Sequence, residues 1–204
     1  MKTTISISFL LVSVLLASCI STNIKSSWRE TGKEISIGKL NKVLVVALFK
    51  NEASRRTGED EMAGYLKGKG VVSYNYLDNN ISTKDSAVIK QKIKSDGFDG
   101  AVIMRLVDVD KEITYIPGTI TTYPAYYRNF SGYYNRSYSA YATPGRYITT
   151  KTFTVEVNVY SIKEDKIIWS GITETTNPDG VDKLTKEVTK IVYKKMLKEG
   201  FISK

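Results

Sequence analysis

Lys42-Val43-Leu44-Val45-Val46-Ala47-Leu48-Phe49-Lys50 is an unbroken apolar run between two lysines, rich in β-branched side chains. A strand with one wet face alternates apolar and polar residues. A run with no polar member suits a strand covered on both faces, as in the middle of a mostly parallel sheet. The next segment, Asn51 to Gly70, is polar, with Met62, Ala63 and Leu66 on one side and Gly68 and Gly70 as stop signals. This pattern predicts a helix, weakened internally by Gly58 and Gly64.

Val71-Val72-Ser73-Tyr74-Asn75-Tyr76 then predicts a second strand. Thr83 or Asp85 can cap a helix that runs to about Ser95, with Ile89 and Ile93 one turn apart and Gly97 at its end. Gly100 to Val107 predicts a third strand. Strand, helix, strand, helix, strand with short connections implies right-handed crossovers and a parallel core.

The second half has a different pattern. From Tyr147 the chain alternates, with Phe153, Val155, Val157 and Val159 on one face and Thr152, Thr154, Glu156 and Asn158 on the other. Such a strand faces core on one side and water on the other. A polar turn, Ser161 to Lys166, leads to its hairpin partner Ile167 to Ile172. Asn177-Pro178-Asp179 opens a last helix, whose apolar positions Val181, Leu184, Val188, Ile191, Val192 and Leu197 keep a helical period before Gly200. The expected fold class is therefore α/β: a mixed sheet with a βαβαβ parallel core, an added antiparallel hairpin and a C-terminal helix. Val45, Ile103 and Val157 are expected in its core.

The Val43 to Phe49 strand, Asp99-Gly100-Ala101-Val102-Ile103, and Val159-Tyr160-Ser161-Ile162 turning back to Ile168-Trp169-Ser170-Gly171, with the closing helix, resemble a group of small bacterial lipoproteins. More distantly, the pattern is similar to the α/β domains of the curli secretion lipoprotein, the amino-terminal domain of TolB and the lipoprotein activators of penicillin-binding proteins. The resemblance spans about residues 40 to 200. It implies envelope work through protein contacts, with no active site to carry over.

At the amino terminus, Lys2 precedes an uncharged run from Ile5 to Leu16, then small residues. This is the order of a secretory signal, and the run is shorter than the ~20 apolar residues that cross a bilayer. Leu16-Ala17-Ser18-Cys19 resembles the lipobox of bacterial lipoproteins. Residues 1–18 are then expected to be a signal peptide and Cys19 the lipid-bearing residue, since a lone exported thiol has no disulfide partner. Each buried acyl methylene contributes about 0.8 kcal/mol, so two or three chains would hold the protein on a bilayer. The polar stretch from Ile20 to Ser27 has neither strand nor helical period, so residues 19–40 are expected to be a tether and 41–204 a single α/β domain. No Asp follows Cys19, which under the sorting rule of such lipoproteins favours the outer membrane over the inner one.

The chain has no histidine and a single cysteine among its 204 residues. Ser-His-Asp, Cys-His and imidazole-based metal sites are thereby excluded. Asp108 and Asp110 share a strand face and present two oxygens, but no third metal ligand is evident. Asp96 and Asp99 flank Gly97 as helix-stop and turn residues. Gly68-Lys69-Gly70 lacks the preceding strand and following hydroxyl of a phosphate loop. Asp85-Ser86-Ala87 resembles a short O-glycosylation acceptor and serves equally as a helix cap. No cofactor and no enzymatic activity are expected. The formal charge is +9. Its lysines are spread over helical faces, as in Lys90, Lys92 and Lys94 or Lys183, Lys186, Lys190, Lys194, Lys195 and Lys198, which fits an anionic envelope and not nucleic acid.

One segment is unusual. Residues 116–147 form an insertion holding Tyr123, Tyr126, Tyr127, Tyr133, Tyr134, Tyr138 and Tyr141, with Arg128, Arg136 and Arg146, several glycines and prolines. Tyrosine with Arg, Ser, Gly and Asn is the composition of adaptable contact surfaces. These residues are expected to bind an envelope protein partner or, alternatively, a glycan such as peptidoglycan; the other reading of the segment is an insertion that folds back over the sheet with its tyrosines half buried. The reading of the amino terminus has a direct check: Cys19→Ala should leave the precursor unprocessed and without lipid, and mass spectrometry of the mature amino terminus would show an unmodified Cys19 or another start if that reading is wrong.

Overall fold

A computed structural model describes residues 21–77, 86–120 and 142–203. The chain divides into two compact units, one of residues 1–109 with 152–204 and one of residues 110–151.

The first unit is built on a six-stranded mixed sheet. In chain order the elements are β1 (Ser21–Arg29), β2 (Ile35–Ser36), β3 (Val43–Leu48), α1 (Glu52–Gly64), β4 (Gly70–Val72), α2 (Ser73–Tyr76), α3 (Ser86–Ser95), β5 (Gly100–Ile116), β6 (Thr119–Ile120), β7 (Ala142–Thr143), β8 (Arg146–Ser161), β9 (Lys166–Thr176), α4 (Val181–Lys198) and β10 (Ile202–Ser203). The strand order is β1-β9-β8-β5-β3-β4. β3 is parallel to both β4 and β5, and β8, β9 and β1 pair antiparallel in succession. The expected parallel core, added hairpin and closing helix are all present.

The apolar run of β3 is explained by what lies on its two faces. Val43, Val45 and Ala47 join the main core with Met62 of α1 and Leu184, Val188, Val192 and Met196 of α4. Leu44 and Val46 point the other way, to a smaller cluster with Ile89 and Ile93 of α3 and Phe98. Val45 and Val157 are wholly buried, as expected. Ile103 is only half-buried, unlike its neighbours Val102 and Met104, because it stands on the thinly covered α3 side. Gly58, expected to weaken α1, instead lets that helix approach the sheet: a Cβ there would stand 2.9 Å from the Phe49 ring and 3.3 Å from Ala47 Cβ.

Two sequence expectations fail locally. The segment from Ser21 to Arg29, expected within a tether, is an edge strand whose register runs from Ser21 opposite Thr176 to Arg29 opposite Trp169. It has little apolar pattern because it is held by backbone pairing and polar cross-strand contacts: Thr22 Oγ1 to Thr175 Oγ1 at 3.0 Å, and Lys25 with Glu174. Lys25 is skipped in the register, and a bulge with a lysine suits an exposed sheet edge. The second expected strand stops at Val72, and Ser73–Tyr76 turn into a helix. Here the fully buried Glu59 of α1 takes the donors: Oε1 accepts from Ala47 N (3.1 Å), Arg55 Nε (3.2 Å) and Ser73 Oγ (2.6 Å), and Oε2 from Tyr74 N (3.1 Å). A backbone N–H given to this carboxylate is lost to the strand ladder.

In β9, Ile168 is skipped in the register with β8, so Ile168 and Trp169 both turn into the core. The Trp169 indole lies across Gly171, where any Cβ would collide with the six-membered ring at Cη2 and Cζ3. Its Nε1 donates to Glu199 Oε2 at 2.8 Å, while Ser27 Oγ donates to Glu199 Oε1 at 2.6 Å and Lys195 Nζ stands 3.2 Å from the same oxygen. Burial raises the Glu199 carboxyl, but the hydrogen bonds from Ser27, Trp169 and Lys195 outweigh it and hold the group below the usual 4.5. A depressed carboxyl contributes stability above its unfolded pKa, and the contribution is lost as pH falls through the folded value. Glu199→Gln should therefore cost about 1–3 kcal/mol at pH 7. In denaturant titrations across pH, the gap between parent and variant should narrow below the usual glutamate value; a gap that does not change with pH would contradict the ionised state assigned to Glu199.

Candidate functional site

The sheet face that carries the main core leaves an apolar cavity of about 420 Å³ in the first unit. Its floor is Val43 at the start of β3, Val102 of β5, Val159 of β8 and Ile168 of β9. Met62, Tyr65 and Leu66 close one side, and Tyr193 and Met196 of α4 close the other. Tyr65 and Tyr193 meet with ring centroids 4.7 Å apart, bracing the two helices together. Ile35, Ile37 and Leu40 enter from the segment before β3, and Phe201 and Ile202 from the chain after α4. These last two groups are tied by the short parallel pair of β2 and β10. Phe201 reaches its place because α4 ends at Gly200, with φ of +66°, and Phe201 N returns to Met196 O at 2.9 Å.

The residues of the lining that are exposed are Lys94, Asp99 and Lys163, with Ser161 partly so. Polar groups therefore gather at one end, where β3 and β5 begin. Asp99 Oδ2 accepts from the backbone N–H of Asn41 and from Lys42 N at 3.3 Å. As a sealed void, a space of this size would cost on the order of 10 kcal/mol at ~24 cal/mol per Å³, comparable with the whole stability of a domain. Its volume lies within the ~300–1,000 Å³ of ligand-binding clefts.

The second unit, by itself, consists of the outer parts of β5 and β8 and the two-residue pair β6 with β7. Tyr115 and Tyr147 meet with centroids 5.0 Å apart and an interplanar angle of 48°. Tyr147 is 75% exposed and Ile113 60%, and Tyr115, Ile116 and Ile148 are also exposed. None of the described buried residues falls between 110 and 151.

Of the residues singled out in the sequence, Arg146 opens β8 and is exposed. Tyr123, Tyr126, Tyr127, Arg128, Tyr133, Tyr134, Arg136, Tyr138 and Tyr141 lie outside the described residues, as do Cys19 and Asp85. Ser86 is the first residue of α3. Asp108 and Asp110 each accept a hydrogen bond from the following backbone N–H at 2.8 Å, and no group of three potential metal-ligating side chains occurs among the described residues. Asp96 does more than stop α3. It pairs with Lys92 at 2.8 Å and accepts from Tyr76 Oη at 2.7 Å, and these two contacts hold its carboxyl below the usual range. Burial and then the bond to Asp96 raise the Tyr76 phenol. No helix among the described residues is long and apolar enough to cross a membrane.

No protein-family model matches the sequence, and no curated protein sequence does. Among solved structures, the chain is similar to the PelC dodecamer from Paraburkholderia phytofirmans, at 9% identity and a TM-score of 0.44, over 82% of this chain and 95% of that one. It is also similar to lipoprotein GNA1162 from Neisseria meningitidis, at 11% identity and a TM-score of 0.38, over 77% and 98% of the two chains. A third likeness is to a neuraminyllactose-binding hemagglutinin homolog from Helicobacter pylori, at 14% identity and a TM-score of 0.27, over 85% and 90%.

Proposed function

We propose that this protein is a non-catalytic binding protein of the cell envelope, anchored to a bilayer through acylated Cys19, more specifically at the outer membrane, and that its tyrosine-rich second unit meets a protein partner. The observation that carries the reading is the surface of that unit. Its described strands hold Ile113, Tyr115, Ile116, Tyr147 and Ile148 exposed and contribute nothing to the buried core. Exposed apolar and aromatic groups gathered on one short piece of chain mark contact sites, and tyrosine and arginine are the residues that most often anchor them. The same piece of chain contains the tyrosines and arginines from Tyr123 to Arg146.

The anchoring part of the proposal rests on the lipobox-like Leu16-Ala17-Ser18-Cys19. It gains a geometric corollary from β1. Because Ser21 is already paired with Thr176, only one residue separates Cys19 from the sheet, so the acyl chains would hold the first unit directly against the bilayer.

Replacing residues 118–145 with a short Gly/Ser link tests the contact role. Loop closure depends only logarithmically on length, and the exchanged residues add nothing to the described core, so the protein should stay folded and exported. Thermal unfolding should shift little, while recovery of a cross-linked protein partner from membranes should be lost. Partner recovery equal to the parent would refute the contact role, and recovery of glycan strands in place of protein would move the assignment to peptidoglycan.

A further inference from the structure

We infer that the cavity bordered by Ile37, Val43, Met62, Val102, Met196 and Phe201 is a binding site for a single-chain anionic amphiphile, with the alkyl chain inside and the head between Lys94 and Lys163. This site lies wholly in the first unit and is independent of the contact role given to the second.

The lining selects the tail. A water held in a protein needs two to four polar partners, and the walls here are mostly valine, isoleucine, leucine, methionine and phenylalanine, with Tyr65, Tyr160 and Tyr193 among them. An apolar cavity of about 150 Å³ stays dry and takes up one benzene. By the same scale 420 Å³ has room for a chain of roughly 12–16 carbons. A branched or polycyclic ligand would need a broad chamber, whereas the walls here are two helices braced by the Tyr65–Tyr193 contact over a sheet floor.

The rim selects the head. Neighbouring lysines are engaged: Lys33 and Lys166 with Glu164, Lys90 with Asp165, and Lys92 with Asp96. Lys94 and Lys163 have no ion pair among the described residues, and the carboxylate of the cavity lining, Asp99, is turned to the backbone N–H groups of Asn41 and Lys42. An acidic head therefore meets two cations whose charge is not already balanced.

The strand that leads to the proposed anchor begins at the end of the sheet away from this site. β1 runs from Ser21, beside Thr176, to Arg29, beside Trp169, and the cavity begins at Ile168. At ~3.3 Å per residue the amino-terminal end of β1 is about 26 Å from that end of the sheet. With the acyl chains of Cys19 in the bilayer, as proposed above, the occupant comes from outside the chain.

The test uses the full-length lipidated protein in phosphatidylcholine nanodiscs, illuminated with diazirine-bearing hexadecanoic acid, the corresponding lysophosphatidylglycerol, or the neutral alcohol of the same chain. Peptide mapping should place the label on segments holding Met62, Leu66 and Met196, and whichever acidic probe labels them identifies the head group as carboxylate or phosphate. Met62→Trp should lower that labelling roughly tenfold by filling the space. Lys94→Glu with Lys163→Glu, both on the surface, should lower labelling by the acidic probes about fivefold and leave the neutral alcohol unchanged. Absence of label on the cavity peptides with both acidic probes, or label unaffected by both the lysine replacements and excess unlabelled hexadecanoate, would overturn the inference. Because residues 118–145 take no part, such a failure would leave the partner-binding proposal untouched.

Discussion

Trp169 has no exposed surface and a single polar atom, and the way its N–H is satisfied holds the first unit together. The indole needs a flat place, which Gly171 provides two residues along the same strand face. The N–H needs an acceptor, which Glu199 provides from just beyond the last turn of α4. That carboxylate then also takes Ser27 of β1, and the Glu199 carbonyl takes Arg29. One buried ring therefore sets the distance of α4 from the sheet, the placement of the edge strand and, through the Phe201 ring 6.4 Å away, the chain that closes the cavity. A buried tryptophan with an unmade hydrogen bond is costly, so these positions are set together and not one at a time.

The cavity follows from that arrangement. α1 and α4 are braced by the Tyr65–Tyr193 contact, and Ile35, Ile37, Phe201 and Ile202 reach over the starts of β3 and β5 without filling the space between. The second unit is of another kind, strands and turns with apolar and aromatic groups outward and no described core. The two units thus differ in what they present: an apolar cavity with Lys94 and Lys163 at its rim, and strands with exposed aromatic and aliphatic side chains.

Much of this fold was legible in the residues, for physical reasons that differ by element. β3 announces itself because both its faces are covered, and β8 because one is wet. α4 keeps a helical period because it packs on the sheet along its whole length. β1 stayed hidden, since an edge strand held by main-chain pairing and Thr–Thr contact needs no apolar pattern. Ser73 to Tyr76 read as strand by composition, and only the position of Glu59, fourteen residues earlier at Ser73, shows why the backbone turns. The exposed Tyr115 and Tyr147 flank a stretch that stands out in the sequence by its excess of tyrosine, whose members from Tyr123 to Tyr141 lie outside the described residues. The cavity was not legible, because its walls come from segments spread between Ile35 and Ile202 that only the closed fold brings together.

The placement that follows from the proposed anchor at Cys19 depends on β1 being the edge of the sheet from Ser21 onward. Hydrogen exchange of the full-length lipidated protein measures this directly, through the amides of residues 21–29. If β1 is the edge of the sheet, these amides exchange on the slow timescale of their partners in residues 166–176. Exchange as fast as that of an unstructured peptide would contradict it, returning residues 19–40 to a tether and removing the corollary that the first unit sits directly on the bilayer.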